Sequence, residues 1–94
     1  MIPDLPPHSY TCLAEVVQVE ARRFTDDEYG VAASVLNRVA SPDFPDTVCS
    51  VVYSKGQYEG VTQNYTLRAD PDLVEKLKSP EGQMKIVDAL KVLD

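Results

Sequence analysis

Thr25-Asp26-Asp27-Glu28-Tyr29-Gly30-Val31-Ala32-Ala33-Ser34-Val35-Leu36-Asn37-Arg38-Val39 is the stretch that decides the fold class. Val31, Ala32, Val35, Leu36 and Val39 recur at the three- and four-residue spacing of one helix face. Thr25 to Glu28 reads as a capping box, a hydroxyl accepting from one orphan N–H and a carboxylate reaching back to another. The acids also suit the positive end of a helix. Ser41-Pro42 stops the helix near Ala40, because the residue before a proline avoids the α region.

Working outward, the segment from about Ser9 to Arg23 is a second helix, with Ser9 or Thr11 as its N-cap. Leu13, Val16, Val17, Glu20 and Phe24 share one face, and Glu15, Gln18 and Arg22 lie opposite. Residues 1–8 read as an extended Pro-rich arm. After the central helix, Pro42 to Pro45 form a turn that carries Phe44. Thr47 caps a short helix over 48–53, which Gly56 ends. Gln57-Tyr58-Glu59-Gly60-Val61 alternates with period two, and 62–68 is weakly strand-like. Asp70-Pro71 and Ser79-Pro80 are cap-plus-first-turn pairs. They predict helices over 71–78 and 80–93, the last burying Ile86, Val87, Leu90 and Leu93. The fold class is therefore mainly α, or α+β with at most a small β-hairpin near 57–67, in a single domain over residues 9–94.

Composition narrows the functions. The 94 residues are 44% hydrophobic and 26% charged, which suits a folded domain rather than a disordered chain. Nine Lys and Arg against fifteen Asp and Glu give a net charge of −6. That excludes a nucleic-acid partner bound by clustered positive charge, and docking on anionic lipid. Mean hydropathy is −0.22, and the short apolar runs exclude membrane insertion. The first residues lack the charged and apolar regions of a signal peptide. The acids concentrate early: residues 1–47 carry eight acidic and three basic side chains. A cleft lined by that half would be acidic. Cys12, Cys49 and the one histidine, His8, do not form a metal motif, so no metal or other cofactor is expected. Both cysteines are expected as free core thiols, with a disulfide only if the folded distance allows it.

Glu20 breaks the helical pattern. It is the one acid in the middle of the apolar stripe of its helix. Such a carboxyl is costly unless it is paired, protonated or facing a cleft. A buried carboxylic acid kept neutral is a suitable general acid for a leaving oxygen. Pairing with a neighbouring arginine, or a head group that reaches water, explains the position equally well.

Four blocks together resemble the SleB-type cell wall hydrolases, which include spore-cortex-lytic enzymes and phage lysis proteins. They are Glu20-Ala21-Arg22, Val35-Leu36-Asn37-Arg38-Val39, Phe44-Pro45-Asp46-Thr47-Val48 and Gly56-Gln57-Tyr58. Their order and spacing agree over about residues 10–61. The resemblance implies a lysozyme-like fold that cuts the glycan strands of peptidoglycan, with Glu20 as the catalytic acid. It implies a lytic transglycosylase, or a muramidase-like hydrolase, working without a cofactor. It points to a phage-encoded protein in the host cytoplasm or the phage particle, acting on the bacterial cell wall. Family domains usually continue past the last helix, so 9–94 reads as a C-terminally short version.

Gln57, Tyr58 and Tyr53 are the substrate-binding candidates: an amide for an acetamido group, and aromatic faces for sugar rings. Tyr65 is a weaker one. Asn37 and Arg38 read as an inter-helix hydrogen bond or ion pair, and the sequon Asn64-Tyr65-Thr66 as chance. Two other readings stay open. One is a non-catalytic structural or wall-docking virion component, with virion or homo-oligomeric partner chains. The other is an acidic module that binds a basic protein.

Overall fold

The computed structural model describes residues 5–24, 27–62 and 67–93, apart from the side chains of residues 22–24. It is built from α1 (Pro7–Phe24), α2 (Glu28–Val39), α3 (Val48–Val52), α4 (Glu59–Thr62), α5 (Pro71–Lys78) and α6 (Pro80–Leu93). No strand occurs among the described residues, and no helix among them is long and apolar enough to cross a membrane.

α1 is the central element. α2, α3, α4 and α5 all pack on it, so its buried face is wider than one stripe. Cys12, Leu13, Ala14, Val16 and Val17 are all buried, with Ala21 at the same helix's far end. α6 closes the bundle against α2 and α5, burying Ile86 beside Leu77. Gln18, expected on the solvent side, ties down the chain ahead of α5. Its amide donates to the Arg68 carbonyl at 2.9 Å and accepts from the Asp70 N–H at 2.7 Å.

The last two helices have the bounds that their cap signals predict. Asp70 accepts from the Asp72 N–H at the start of α5, and Ser79 Oγ accepts from the Gly82 N–H in the first turn of α6. Thr47 caps α3 by accepting from the Ser50 N–H, and Gly56 sits at φ 81 in the turn that follows, a conformation glycine adopts without strain.

Elsewhere the expectations need correction. α1 begins at Pro7, not Ser9, because Pro7 fits the first helical turn and the Pro6 carbonyl accepts from the Ser9 N–H at 2.9 Å. The last residues assigned to the extended arm are thus helical. α2 is capped by Asp27, whose Oδ1 accepts from the Gly30 N–H at 2.8 Å. Thr25, the expected cap, lies outside the described residues. A Cβ at position 30 would collide with the Asp27 carboxylate, so the glycine makes this cap sterically available.

The hairpin expected near 57–67 is replaced by α4. The Tyr58 carbonyl accepts from the Val61 N–H at 3.0 Å. Tyr58 and Val61, three residues apart, are both buried. A helical turn puts them on one face, whereas a strand puts them on opposite faces. Burial of two apolar side chains decides for the turn. Residues 63–66, with Tyr65 and the sequon, lie outside the described residues.

The cysteines are not free. Cys12 on α1 and Cys49 on α3 form a disulfide, with their Cα atoms 5.3 Å apart and a sequence separation of 37. The spacing in the chain says nothing of this distance; the packing of α3 on α1 creates it. A cross-link closing a loop of that length stabilises by about 3–4 kcal/mol in the chain-entropy account.

Candidate functional site

A cleft of about 410 Å³ opens between the end of α1, the face of α2, Tyr58 and the end of α6. That lies within the range of roughly 300–1,000 Å³ typical of ligand sites. α2 supplies most of its wall. Asp27, Gly30 or Val31, Ser34 and Arg38 recur at three- and four-residue intervals and so share one face. Two of them are small, Gly30 and Ser34, and their lack of bulk is what leaves the groove open.

Glu20 enters from α1. It is partly buried and lines the cleft. Its carboxylate makes no ion pair among the described residues. The side chains of Arg22 and Arg23, the potential partners, lie outside the described residues. Asp27 is the second acid of the cleft, with one oxygen engaged in capping α2.

Among the described residues Arg38 is the cation that lines the same cleft, and it is held in place from three sides. Its Nη1 donates to Gln57 Oε1 at 2.8 Å. Its guanidinium lies 5.4 Å from the Phe44 ring centroid and 5.0 Å from that of Tyr58, within cation–π range. A guanidinium has five N–H donors, so one bond to Gln57 leaves donors available at the cleft.

Tyr58 lies beneath Arg38. It is 7% exposed, and its hydroxyl is buried without a hydrogen-bond partner. Burial raises its pKa, which the Arg38 charge opposes and the Glu20 charge reinforces. The net shift is upward, so at neutral pH Tyr58 is a neutral phenol able to donate a hydrogen bond.

The structure thus brings Glu20 and Tyr58 together in one cleft and sets the other candidates apart. Gln57 does not line the cleft; it stands behind Arg38 and orients it. Tyr53 is 48% exposed, away from the cleft, and its hydroxyl donates to Glu15. Arg38, read from the sequence as an inter-helix hydrogen bond or ion pair, bonds instead to Gln57 in the turn after α3, and it also lines the cleft. Asp27 and Ser34 were missed. Their signal was present as the 27-30-34-38 spacing, a polar and small-residue face next to the apolar stripe. Leu93, expected in the core, is 47% exposed and forms the far wall of the cleft.

Tyr53 gives a pH prediction. Partial burial, the hydrogen bond to Glu15 and the charge of Glu15 raise its pKa to about 12, against about 10 for an unfolded tyrosine. Between these values the unfolded chain releases the proton and the folded chain keeps it. The unfolded state then binds fewer protons, so stability falls as pH rises from about 10 to about 12. Chemical denaturation across that window should show the decline, and Tyr53→Phe should flatten it. An unchanged slope in the variant would remove Tyr53 as the cause.

The sequence model of the family described as Cell Wall Hydrolase matches residues 24–91 of the chain. The matched span includes Asp27, Gly30, Ser34, Arg38, Gln57 and Tyr58; Glu20 lies just before it. No curated protein and no solved structure matches the chain.

Proposed function

The chain belongs to the cell wall hydrolase family, and from that premise we propose that it cleaves the glycan strands of peptidoglycan in the Glu20 cleft. Family membership supports peptidoglycan hydrolysis as the general activity. The observation that carries the finer reading is the position of Glu20: a partly buried carboxyl, free of ion pairs among the described residues, in the wall of a cleft of ligand size.

In this reading the protonated Glu20 carboxyl gives its proton to the glycosidic oxygen as the bond from the muramoyl C1 breaks. The resulting carboxylate then takes the proton of the muramoyl 6-hydroxyl as that oxygen closes onto C1. The product is a 1,6-anhydro end, and no water is consumed. Tyr58 floors the cleft and holds the Arg38 guanidinium over its ring. Arg38 offers the N–H groups left over from Gln57 to a carbonyl or carboxylate of the substrate.

Asp27 favours a second reading, because it places another acid in the same cleft. Hydrolysis by two carboxylates needs them about 5–9.5 Å apart, with one acting on water or on C1. Digestion of purified sacculi in ¹⁸O-labelled water separates the two. The transglycosylase reading predicts anhydro ends without label. Reducing ends carrying one ¹⁸O atom would overturn it in favour of hydrolysis.

The Arg38 assignment has its own consequence. A hydrogen bond to a charged group contributes about 1.5–3 kcal/mol, so Arg38→Ala should lower kcat/KM about 10–100-fold. Arg38→Lys should not restore it, since a lysine lacks the planar fork that both Gln57 and the substrate use. Gln57→Ala should raise KM more than it lowers kcat, because it loosens Arg38 without touching Glu20. Full rescue by Arg38→Lys would show that only the charge matters.

A further inference from the structure

Neither cysteine of the Cys12–Cys49 bond lines the cleft, and a third side chain belongs to the same cluster. His8 precedes Cys12 by four residues, which puts both on one face of α1. Cys49 is brought to them by α3. Its Sγ lies 3.6 Å from the His8 carbonyl oxygen, and the ligand atoms of His8, Cys12 and Cys49 all lie within 4.8 Å of one another.

We propose that, when the disulfide is reduced, His8, Cys12 and Cys49 bind one thiophilic divalent cation of the zinc class. The donor set is two sulfurs and one imidazole nitrogen, a set that favours Zn²⁺ and excludes hard cations such as Ca²⁺ and Mg²⁺. Bond lengths of about 2.3 Å to sulfur and 2.0–2.1 Å to nitrogen place tetrahedral ligand atoms roughly 3.4–3.8 Å apart. The present cluster reaches that geometry by parting the two sulfurs and drawing His8 inward. The Cα atoms are already close, 5.3 Å apart, so side-chain rotation supplies the change while α1 and α3 stay in contact.

Burial is graded in the way an accessible site needs. Cys12 is buried, Cys49 partly buried and His8 exposed. The cation therefore enters from solvent at the His8 side, and water completes its coordination.

The conversion balances. A dithiol reductant supplies two electrons and two protons; the Cys12–Cys49 bond breaks, two thiols form, and the reductant closes its own disulfide. The cation then displaces the two thiol protons into solvent, and neutral His8 donates a ring-nitrogen lone pair. The α1–α3 link is a covalent bond in one state and a metal bridge in the other.

Co²⁺ is the probe, because thiolate coordination gives it charge-transfer absorption and a tetrahedral site gives it visible bands. Full-length protein is reduced, freed of reductant and titrated with Co²⁺, with circular dichroism recorded in parallel. The expected result is one equivalent of Co²⁺ bound with both spectral features by reduced protein, and none by the oxidised protein. Zn²⁺ should displace it. A partner outside the coordination shell is worth about 10–100-fold in affinity, so His8→Ala, which removes a ligand, should weaken binding at least that much. His8 is exposed, so this variant should keep the fold. Failure of the reduced wild type to bind Co²⁺, whether helical or unfolded, overturns the proposal. So does binding that His8→Ala leaves unchanged.

Discussion

Glu20→Gln is expected to reduce the release of soluble fragments from purified sacculi by at least about 10²-fold, the lower bound of what a positioned general acid contributes, while leaving the helical circular dichroism of the protein in place. The substitution keeps the size and shape of the side chain and removes its proton. Glu20 is partly buried at the cleft, so among the described residues no ion pair is lost with it. Loss of activity with an unchanged melting temperature assigns the chemistry to this carboxyl. Retained activity would point to Asp27, the other acid of the cleft, and Asp27→Asn would then be the informative variant. Asp27→Asn also perturbs the cap of α2, so its effect must be read against its own melting curve.

Gly82→Ala is expected to be the most damaging of the small substitutions. Gly82 is buried in the first turn of α6, where the chain reverses after α5 through Ser79 alone. A Cβ there would collide with the backbone carbonyl oxygen of Lys76 and crowd Ser79 Oγ at 3.2 Å. Ser79 cannot simply swing away, because its Oγ accepts from the Gly82 N–H and donates to the Lys76 carbonyl. Backbone must move, and the α5–α6 packing around Leu77 and Ile86 moves with it. Overpacking of a tight core costs about 1–3 kcal/mol, and a backbone collision belongs at the upper end. For a domain of this size, about 1 kcal/mol lowers Tm by roughly 4–8 °C, so a drop of more than about 10 °C is expected. Met84→Ala, on the exposed side of the same helix, should change Tm little. Equal effects at the two positions would mean that the turn tolerates the extra methyl.

The helices of this fold are legible where local chemistry alone defines them. Asp70-Pro71 and Ser79-Pro80 mark the starts of α5 and α6 because a cap side chain and a proline act within one turn. The ends of α2 and α3 follow for similar reasons. Tyr58 and Val61 mislead, because the alternation around them is compatible with a strand until burial of both on one side is known. The disulfide is invisible for the opposite reason: Cys12 and Cys49 have a sequence separation of 37, and only the packing of α3 on α1 brings them together.

The candidate site divides in the same way. Glu20 stands out because a charge on an apolar stripe is a local contradiction. Arg38 does not, because its meaning depends on Gln57, Phe44 and Tyr58, which a turn and a short helix carry to it. Gln57 bonds Arg38 and does not itself line the cleft. Tyr53 has an aromatic face suited to a sugar ring, yet the end of α3 directs it toward Glu15 and outside the cleft lining. Gly30 and Ser34 contribute by being small, and the absence of bulk becomes informative only once the opposite wall is known.

The most direct test of the account is mass spectrometry of the soluble products that wild-type protein and Glu20→Gln release from sacculi, run side by side. The account predicts sugar-containing muropeptides from the wild type, with glycan strands cut and 1,6-anhydro ends, and essentially none from the variant. Intact glycan strands with cleavage confined to the peptides, or the same products from both proteins, would contradict it.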